Sequence, residues 1–208
     1  MTAVSVLRVT LRPYALRLTA PLATAHGCVG HRHGWVLRID DEAACGFGDA
    51  APWSGFASSF EQVASDLATL VQTGSILAAR VERPEDATRV ARRARTPEAQ
   101  HAVELALLDL LAQKRGLTVA ALLHGRAATS ASLHRLQIGR AQHDAQVHTI
   151  KLKVAAGSLA DDERRVAALR ARVGSTVSLR LDAGGGWSEA QAASAIERLA
   201  RYGVSLIE

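Results

Sequence analysis

The 208-residue sequence predicts an α/β chain in two parts. An α+β unit occupies about residues 1–125, and parallel βαβ units follow over 126–208. Three observations carry this. Short strand-like segments fill the first fifty residues, helical patterns fill the stretch from there to about residue 125, and strand and helix alternate strictly beyond residue 130. The composition, 48% hydrophobic and 22% charged with 16 Gly and 5 Pro, is globular and excludes a disordered tail, a collagen-like rod and a coiled coil. No apolar run reaches the ~18 residues of a membrane span. With only Cys28 and Cys45 there is no disulfide framework, so a reducing cytoplasm is expected. The length excludes a complete eight-stranded α/β barrel of ~250 residues.

The elements follow in order. Residues 4–11 alternate loosely, 35–39 (WVLRI) are apolar and β-branched, and 44–48 are small and glycine-punctuated, giving three strands. Residues 21–34, with Pro21, three Gly and three His, read as a loop, as do residues 50–57 (AAPWSGFA). Ser58 or Ser59 caps a helix running through Leu70, and Glu61 completes a capping box with Ser58. A helix over 84–95 starts on Pro84. Another over 97–114 carries Val103, Leu107, Leu110 and Leu111 on a broad apolar stripe. Gly116 stops it, and a short helix at 119–123 ends at Gly125. Strands are then expected at 133–138, 149–154, 177–182 and 204–208, with helices at 159–172 and 188–202.

The formal net charge of +5 invites a nucleic-acid reading. Of 25 basic residues, however, only Lys114, Lys151 and Lys153 are lysine, and the arginines are dispersed among acids, as in 80–86 and 161–165. Only Arg92, Arg93 and Arg95 cluster. Aromatics are 4%, too few to interleave as stacking platforms. Solvated helix faces account for the charge, and no nucleic-acid or membrane partner is expected.

The chemistry concentrates on the later strands. In a strand, residues two apart share a face, so Ile150, Leu152 and Val154 cover one face while Lys151 and Lys153 occupy the other. Burial and mutual repulsion lower a lysine's affinity for its proton, which makes one of the pair a candidate general base; a solvated edge strand is the alternative. The next strand puts Ser178, Arg180 and Asp182 on one face, with Asp182 at its C-terminal end before Gly184, Gly185 and Gly186. The last strand ends on Glu208. One βα unit separates Lys153 from Asp182, and another separates Asp182 from Glu208. Successive parallel strands thus bring Lys, Asp and Glu to one rim, where α/β active sites form. Converging carboxylates suit a hard cation, Mg²⁺ above all.

KLK at 151–153, LRLDAGGGW at 179–187 and LIE at 206–208 resemble the enolase superfamily in its muconate-lactonising branch. CGFGDAAPWSGF at 45–56 is similar to a segment of o-succinylbenzoate synthases, and residues 102–125, with ALLDL at 106–110, resemble the superfamily's linker helix. The resemblance implies an N-terminal α+β capping domain (1–125) followed by the first half of a (β/α)7β barrel (126–208). It implies a Mg²⁺-dependent lyase (Mn²⁺ as a substitute) that forms an enediolate from a small carboxylate substrate. Dehydration of the o-succinylbenzoate synthase kind, which feeds menaquinone synthesis, is the leading expectation; a dipeptide epimerase or muconate cycloisomerase is the alternative. By match, Lys153 is the base, Lys151 its electrostatic neighbour, and Asp182 and Glu208 metal ligands. Trp53, Gly55, Phe56 and Gly184 are expected to bind substrate, with the loops at 21–34 and 50–57 closing over it. Asp49 stands where Glu is usual, Trp53 and Ser54 replace Leu-Pro, and Gly184 replaces the Asn of a D-A-N turn. Matched to the family, the chain stops mid-barrel on the second metal ligand. The third carboxylate and the opposite-face lysine are expected outside it, with a truncated, non-catalytic chain as a further alternative and a homo-oligomer admitted.

Two other signals are discounted. His26, Cys28, His31 and His33 crowd one segment at zinc-like spacing, but no second ligand cluster accompanies them. Gly184–Gly186 lacks the glycine and lysine pattern of a nucleotide loop.

Overall fold

The structure, a computed structural model, describes residues 7–24, 27–53, 58–77, 80–131, 135–137 and 148–208. The chain divides into two compact units, one formed by Met1–Arg17 with His31–Thr129 and the other by Leu18–Gly30 with Ser130–Glu208.

A three-stranded sheet of order β1-β2-β3, with β1 at Arg8–Thr24, β2 at Gly27–Asp40 and β3 at Cys45–Ala50, carries the first unit, while the stretch Leu18–Gly30 of β1 and β2 is counted with the second. Residues 21–24 and 27–34 are therefore strand, not the loop their Pro and Gly content suggests. Pro13 and Pro21 are accommodated because β1 is an edge strand, where a missing N–H costs the sheet little. Gly34 marks a close approach rather than a turn, since a side chain there would collide with the Tyr14 ring.

β2 and β3 pair antiparallel from Trp35↔Ala50 to Asp40↔Cys45. Leu37 and Ile39 face the core, while Val36, Arg38 and Asp40 face away. The core is completed by α1 (Phe60–Gln72), α2 (Pro84–Ala91) and α3 (Pro97–Lys114) through Val63, Leu67, Val90, Val103 and Leu107. Gly46 and Gly48 let β3 lie against α3: a Cβ at either would run into the carbonyl oxygens of Ala106 and Ala102. The outer edge of β3 is capped in turn, because the Phe47 N–H donates to Asp109 Oδ2 at 3.0 Å.

Local chemistry sets the helix ends. The cap of α1 is Ser59, one residue beyond the expected Ser58, and its capping box closes on Gln62 rather than Glu61. α2 stops at Ala91, short of residue 95, because Asp66 Oδ2 accepts from the Arg95 and Thr96 N–H groups at 2.7 Å each and from the Thr96 hydroxyl at 2.9 Å. Those bonds draw the chain out of the helix. α3 keeps the bounds its apolar stripe predicts, and Gly116 turns the chain after it at φ +65°. Thr118 caps the short α4 (Val119–Leu123).

The second unit contains a parallel sheet of order β4-β5-β6-β7: Arg135–Gln137, Thr149–Lys153, Ser178–Asp182 and Val204–Ile207. α5 (Leu159–Val173) connects β5 to β6, and α6 (Glu189–Ala200) connects β6 to β7. The expected strand at 133–138 is seen only over 135–137; its remaining residues lie outside those described. Ile150, Leu152, Leu179 and Leu181 bury one sheet face against Val166 and Leu169 of α5 and Ala195 and Leu199 of α6. Glu163 ties the two helices together, accepting from Arg198, Arg201 and Tyr202. The opposite face carries the charged residues. Among the described residues no helix is long and apolar enough to cross a membrane.

Candidate active site

The polar face of the β5–β6 pair places Lys151 opposite Arg180 and Lys153 opposite Asp182. Asp182 is the hub. Its Oδ2 lies 2.7 Å from Lys151 Nζ and 2.6 Å from Lys153 Nζ, and Lys151 Nζ lies 2.6 Å from Glu208 Oε2. Four residues from three adjacent strands thus form one balanced cluster of two cations and two anions. Asp182 is buried and the lysines are partly covered, while Glu208 is open to solvent.

Glu208 reaches this face through a β-bulge. β7 pairs Leu179↔Val204 but then Arg180↔Leu206, so Ser205 is the extra residue. Its hydroxyl bonds the Ser178 hydroxyl at 2.7 Å and donates to the Leu179 carbonyl at 2.9 Å. Without the extra residue, side chains beyond Val204 would alternate the other way and Glu208 would face the apolar side. The Glu208 N–H to Leu181 carbonyl bond (2.9 Å) and the Ala183 N–H to Glu208 carbonyl bond (3.0 Å) extend the ladder to the carboxylate.

Gly184 has φ +53°, and its N–H donates to Asp182 Oδ1 at 2.9 Å, which fixes the carboxylate's orientation. Glycine and asparagine both tolerate this left-handed conformation, so the departure from a D-A-N turn keeps the backbone contact.

The carboxylates decide the electrostatics of Lys151. Burial works against the charge on Lys151, but hydrogen bonds to Asp182 and Glu208 outweigh it and hold its pKa above the ordinary lysine value. Lys151 is therefore a firmly held cation rather than a depressed one, because each lysine gained a carboxylate and not merely a like-charged neighbour. Asp182 is also buried, yet the two ammoniums keep its carboxyl below the usual range. The period of two places Arg180 on this face with Asp182 but gives it no role; its Nε is buried without a hydrogen-bond partner among the described residues.

As a cation site the cluster fits in kind. Two carboxylates from neighbouring strand ends already converge on one positive charge, and their oxygens are the donors a hard divalent cation prefers. Among the described residues no group of three His, Cys, Asp or Glu is placed to hold a metal, so Asp182 and Glu208 would supply part of a coordination shell.

In the first unit, Arg32 stacks over Trp53 at 4.3 Å and donates to the carbonyls of Pro52 (2.9 Å) and Ala51 (3.0 Å). Gly55 and Phe56 lie outside the described residues. Asp49 accepts from the Tyr14 hydroxyl at 2.8 Å; burial first, and then that bond, push Tyr14 up to about 12.

Comparison with known proteins agrees with the two-part fold. Residues 6–124 match the family described as mandelate racemase / muconate lactonizing enzyme, N-terminal domain, and residues 135–208 match the enolase C-terminal domain-like family. L-Ala-D/L-Glu epimerase of Bacillus subtilis (strain 168) is 30% identical over 98% of this chain and 59% of its own length. Muconate cycloisomerase 1 of Pseudomonas putida is 34% identical over 53% of this chain and 32% of its own. The solved substrate-liganded complex of the B. subtilis epimerase superposes with a TM-score of 0.85 at 26% identity, covering 98% of this chain and 60% of that one. A dipeptide epimerase from Enterococcus faecalis V583, complexed with Mg and L-Leu-L-Tyr, shares the fold at a TM-score of 0.80 and 23% identity, covering 98% of this chain and 60% of that one. The chain spans about 60% of the length of the epimerases it matches. The architecture is thus an N-terminal capping domain followed by part of a barrel.

Proposed function

The chain belongs to the enolase superfamily, in its mandelate racemase / muconate lactonizing family, and from that premise we propose that it removes the proton α to a substrate carboxylate. The observation that carries this reading is the shared Asp182 oxygen, which gathers Lys151 and Lys153 at the rim that Glu208 completes. Asp182 and Glu208 are the residues that would hold Mg²⁺. Bound there, the ion would polarise the substrate carboxylate and stabilise the negative charge of an enediolate.

The remaining work falls to the lysines. Lys153 takes the α-proton at its Nζ, and the C–H electron pair passes into the enediolate. Lys151, on the same strand face, is the residue that stabilises that developing charge. Returning the proton to the opposite face inverts the carbon; returning it from Lys153 only exchanges it with solvent.

Epimerisation of a dipeptide at the residue bearing the free carboxylate is the favoured overall reaction. Two relatives that align over nearly the whole chain are dipeptide epimerases, so dehydration of the o-succinylbenzoate synthase kind becomes the lesser reading. Trp53, Gly55, Phe56 and Gly184 remain the proposed substrate contacts.

The test is to incubate the full-length protein with Mg²⁺ in deuterated water against an alanyl-glutamate dipeptide and a cyclohexadiene carboxylate. The expected result is epimerisation with deuterium entering at the α-carbon beside the free carboxylate. Dehydration of the second compound with no exchange on the dipeptide would restore the dehydratase reading.

A further inference from the structure

The exit from β5 contains a strained residue that the cluster alone does not explain. Ala155, two residues beyond Lys153, has φ +64°, and it is the one non-glycine residue with positive φ among those described. A Cβ in this conformation crowds the following carbonyl, so the turn holds only where its surroundings over-determine it.

Two side chains of α5 supply that determination. The Ala155 N–H donates to Asp162 Oδ2 at 2.7 Å, and Asp162 is 1% exposed. Its other oxygen pairs with Arg165 Nη1 at 3.0 Å, and Arg165 Nη2 donates to the Lys153 carbonyl at 2.8 Å. Asp162 and Arg165 together thus grip the peptide groups on both sides of Val154.

Capping of α5 does not account for Asp162. That role belongs to Ser158, whose hydroxyl accepts from the Asp161 N–H at 3.1 Å. Nor does Asp162 sit there at its own ease: burial pushes its carboxyl above the usual range, so its ionised form is held at a cost. One of its oxygens is spent on the end of β5 and the other on Arg165, which bonds that same strand end.

We propose that Asp162 and Arg165 are positioning residues, a clamp that locks Ala155 in its left-handed turn and sets the backbone from which Lys153 reaches the rim. This rests on the reading of Lys153 as the base. The strain is stored beside the amine because a relaxed turn would let the strand end, and with it Lys153, drift from Asp182.

Three variants of the full chain test this: Asp162→Asn, Arg165→Met, and Asp162→Ala combined with Ala155→Gly. Arg165 is half exposed at the surface, so its replacement leaves the core intact. Each variant is expected to lower kcat for α-proton exchange about tenfold while KM moves less than twofold. In ¹³C-lysine-labelled protein the Cε signal of Lys153, identified by its loss in Lys153→Arg, is expected to shift in each variant while that of Lys151 stays in place. Glycine adopts the turn without strain, so the double variant is expected to recover the thermal midpoint lost in Asp162→Ala but not kcat. Recovery of kcat together with stability would reduce the clamp to a structural feature and overturn the proposal, as would an unmoved Lys153 signal. The lysine signal judges the clamp without turnover, so a failure of the assigned reaction is distinguishable from a failure of the clamp.

Discussion

Asp66 in the first unit and Asp182 in the second are buried alike, 8% and 6% exposed, and each has one oxygen that accepts several donors. The donors differ. Asp66 Oδ2 takes two backbone N–H groups and a hydroxyl, none of which can leave without unravelling the α2–α3 junction. Asp182 Oδ2 takes two lysine ammoniums on flexible stems, which can move aside and exchange protons. A carboxylate satisfied by backbone is a joint, whereas one satisfied by titratable side chains has partners that can move and exchange protons, as the proposed reaction requires. Burial alone does not separate them; the identity of the partners does.

The comparison can be broken at either end. Replacing Asp182 by Asn should weaken Mg²⁺ binding, read by calorimetry, by more than about 100-fold and remove activity, with little loss of fold. Asp66→Ala should do the reverse. It leaves two buried N–H groups unpaired and should cost about 3 kcal/mol in denaturant unfolding, with Mg²⁺ affinity unchanged. If Asp66→Ala weakened Mg²⁺ binding as much as Asp182→Asn does, the division between the two carboxylates would fail.

The pH dependence of stability sharpens the same contrast with a smaller effect. Asp182 is held below its ordinary value, so its contribution is present above the unfolded carboxyl's pKa of about 3.9 and is lost as pH falls through the folded value. Lys151 is held above its ordinary value, so its contribution is present below about 10.4 and is lost as pH rises through the folded value. Tyr14, at about 12, adds to the alkaline limb in the same direction. The thermal midpoint of metal-free protein should therefore fall toward both extremes. Lys151→Gln should flatten the alkaline side and, because it removes one of the two ammoniums on Asp182, part of the acid side as well, with Tyr14→Phe as the control that removes the unrelated alkaline share.

Much of this centre was legible in the residues. The period of two on β5 and β6 put both lysines and Asp182 on one face, and the one-unit spacing brought them to one rim. Glu208 was named for its strand-end position, yet what aims it is the bulge at Ser205, and a polar residue in a four-residue strand carries no sign of an extra place in the register. The misplaced loop at 21–34 has a similar cause: proline and glycine signal turns in isolation, but an edge strand tolerates the first, and the Tyr14 ring demands glycine at position 34. The shortening of α2 was hidden because Asp66 acts from 29 residues away. Local pattern reports which face a residue takes; long-range hydrogen bonds and register shifts decide where an element ends.

The role of Lys153 is tested most directly by solvent exchange in the full-length protein with Mg²⁺, following deuterium entry at the α-carbon beside the free carboxylate of an alanyl-glutamate dipeptide. Wild-type protein should incorporate deuterium, and Lys153→Ala should do so at least about 1,000-fold more slowly with its thermal midpoint preserved. Exchange at an undiminished rate in Lys153→Ala would contradict the assignment of the base.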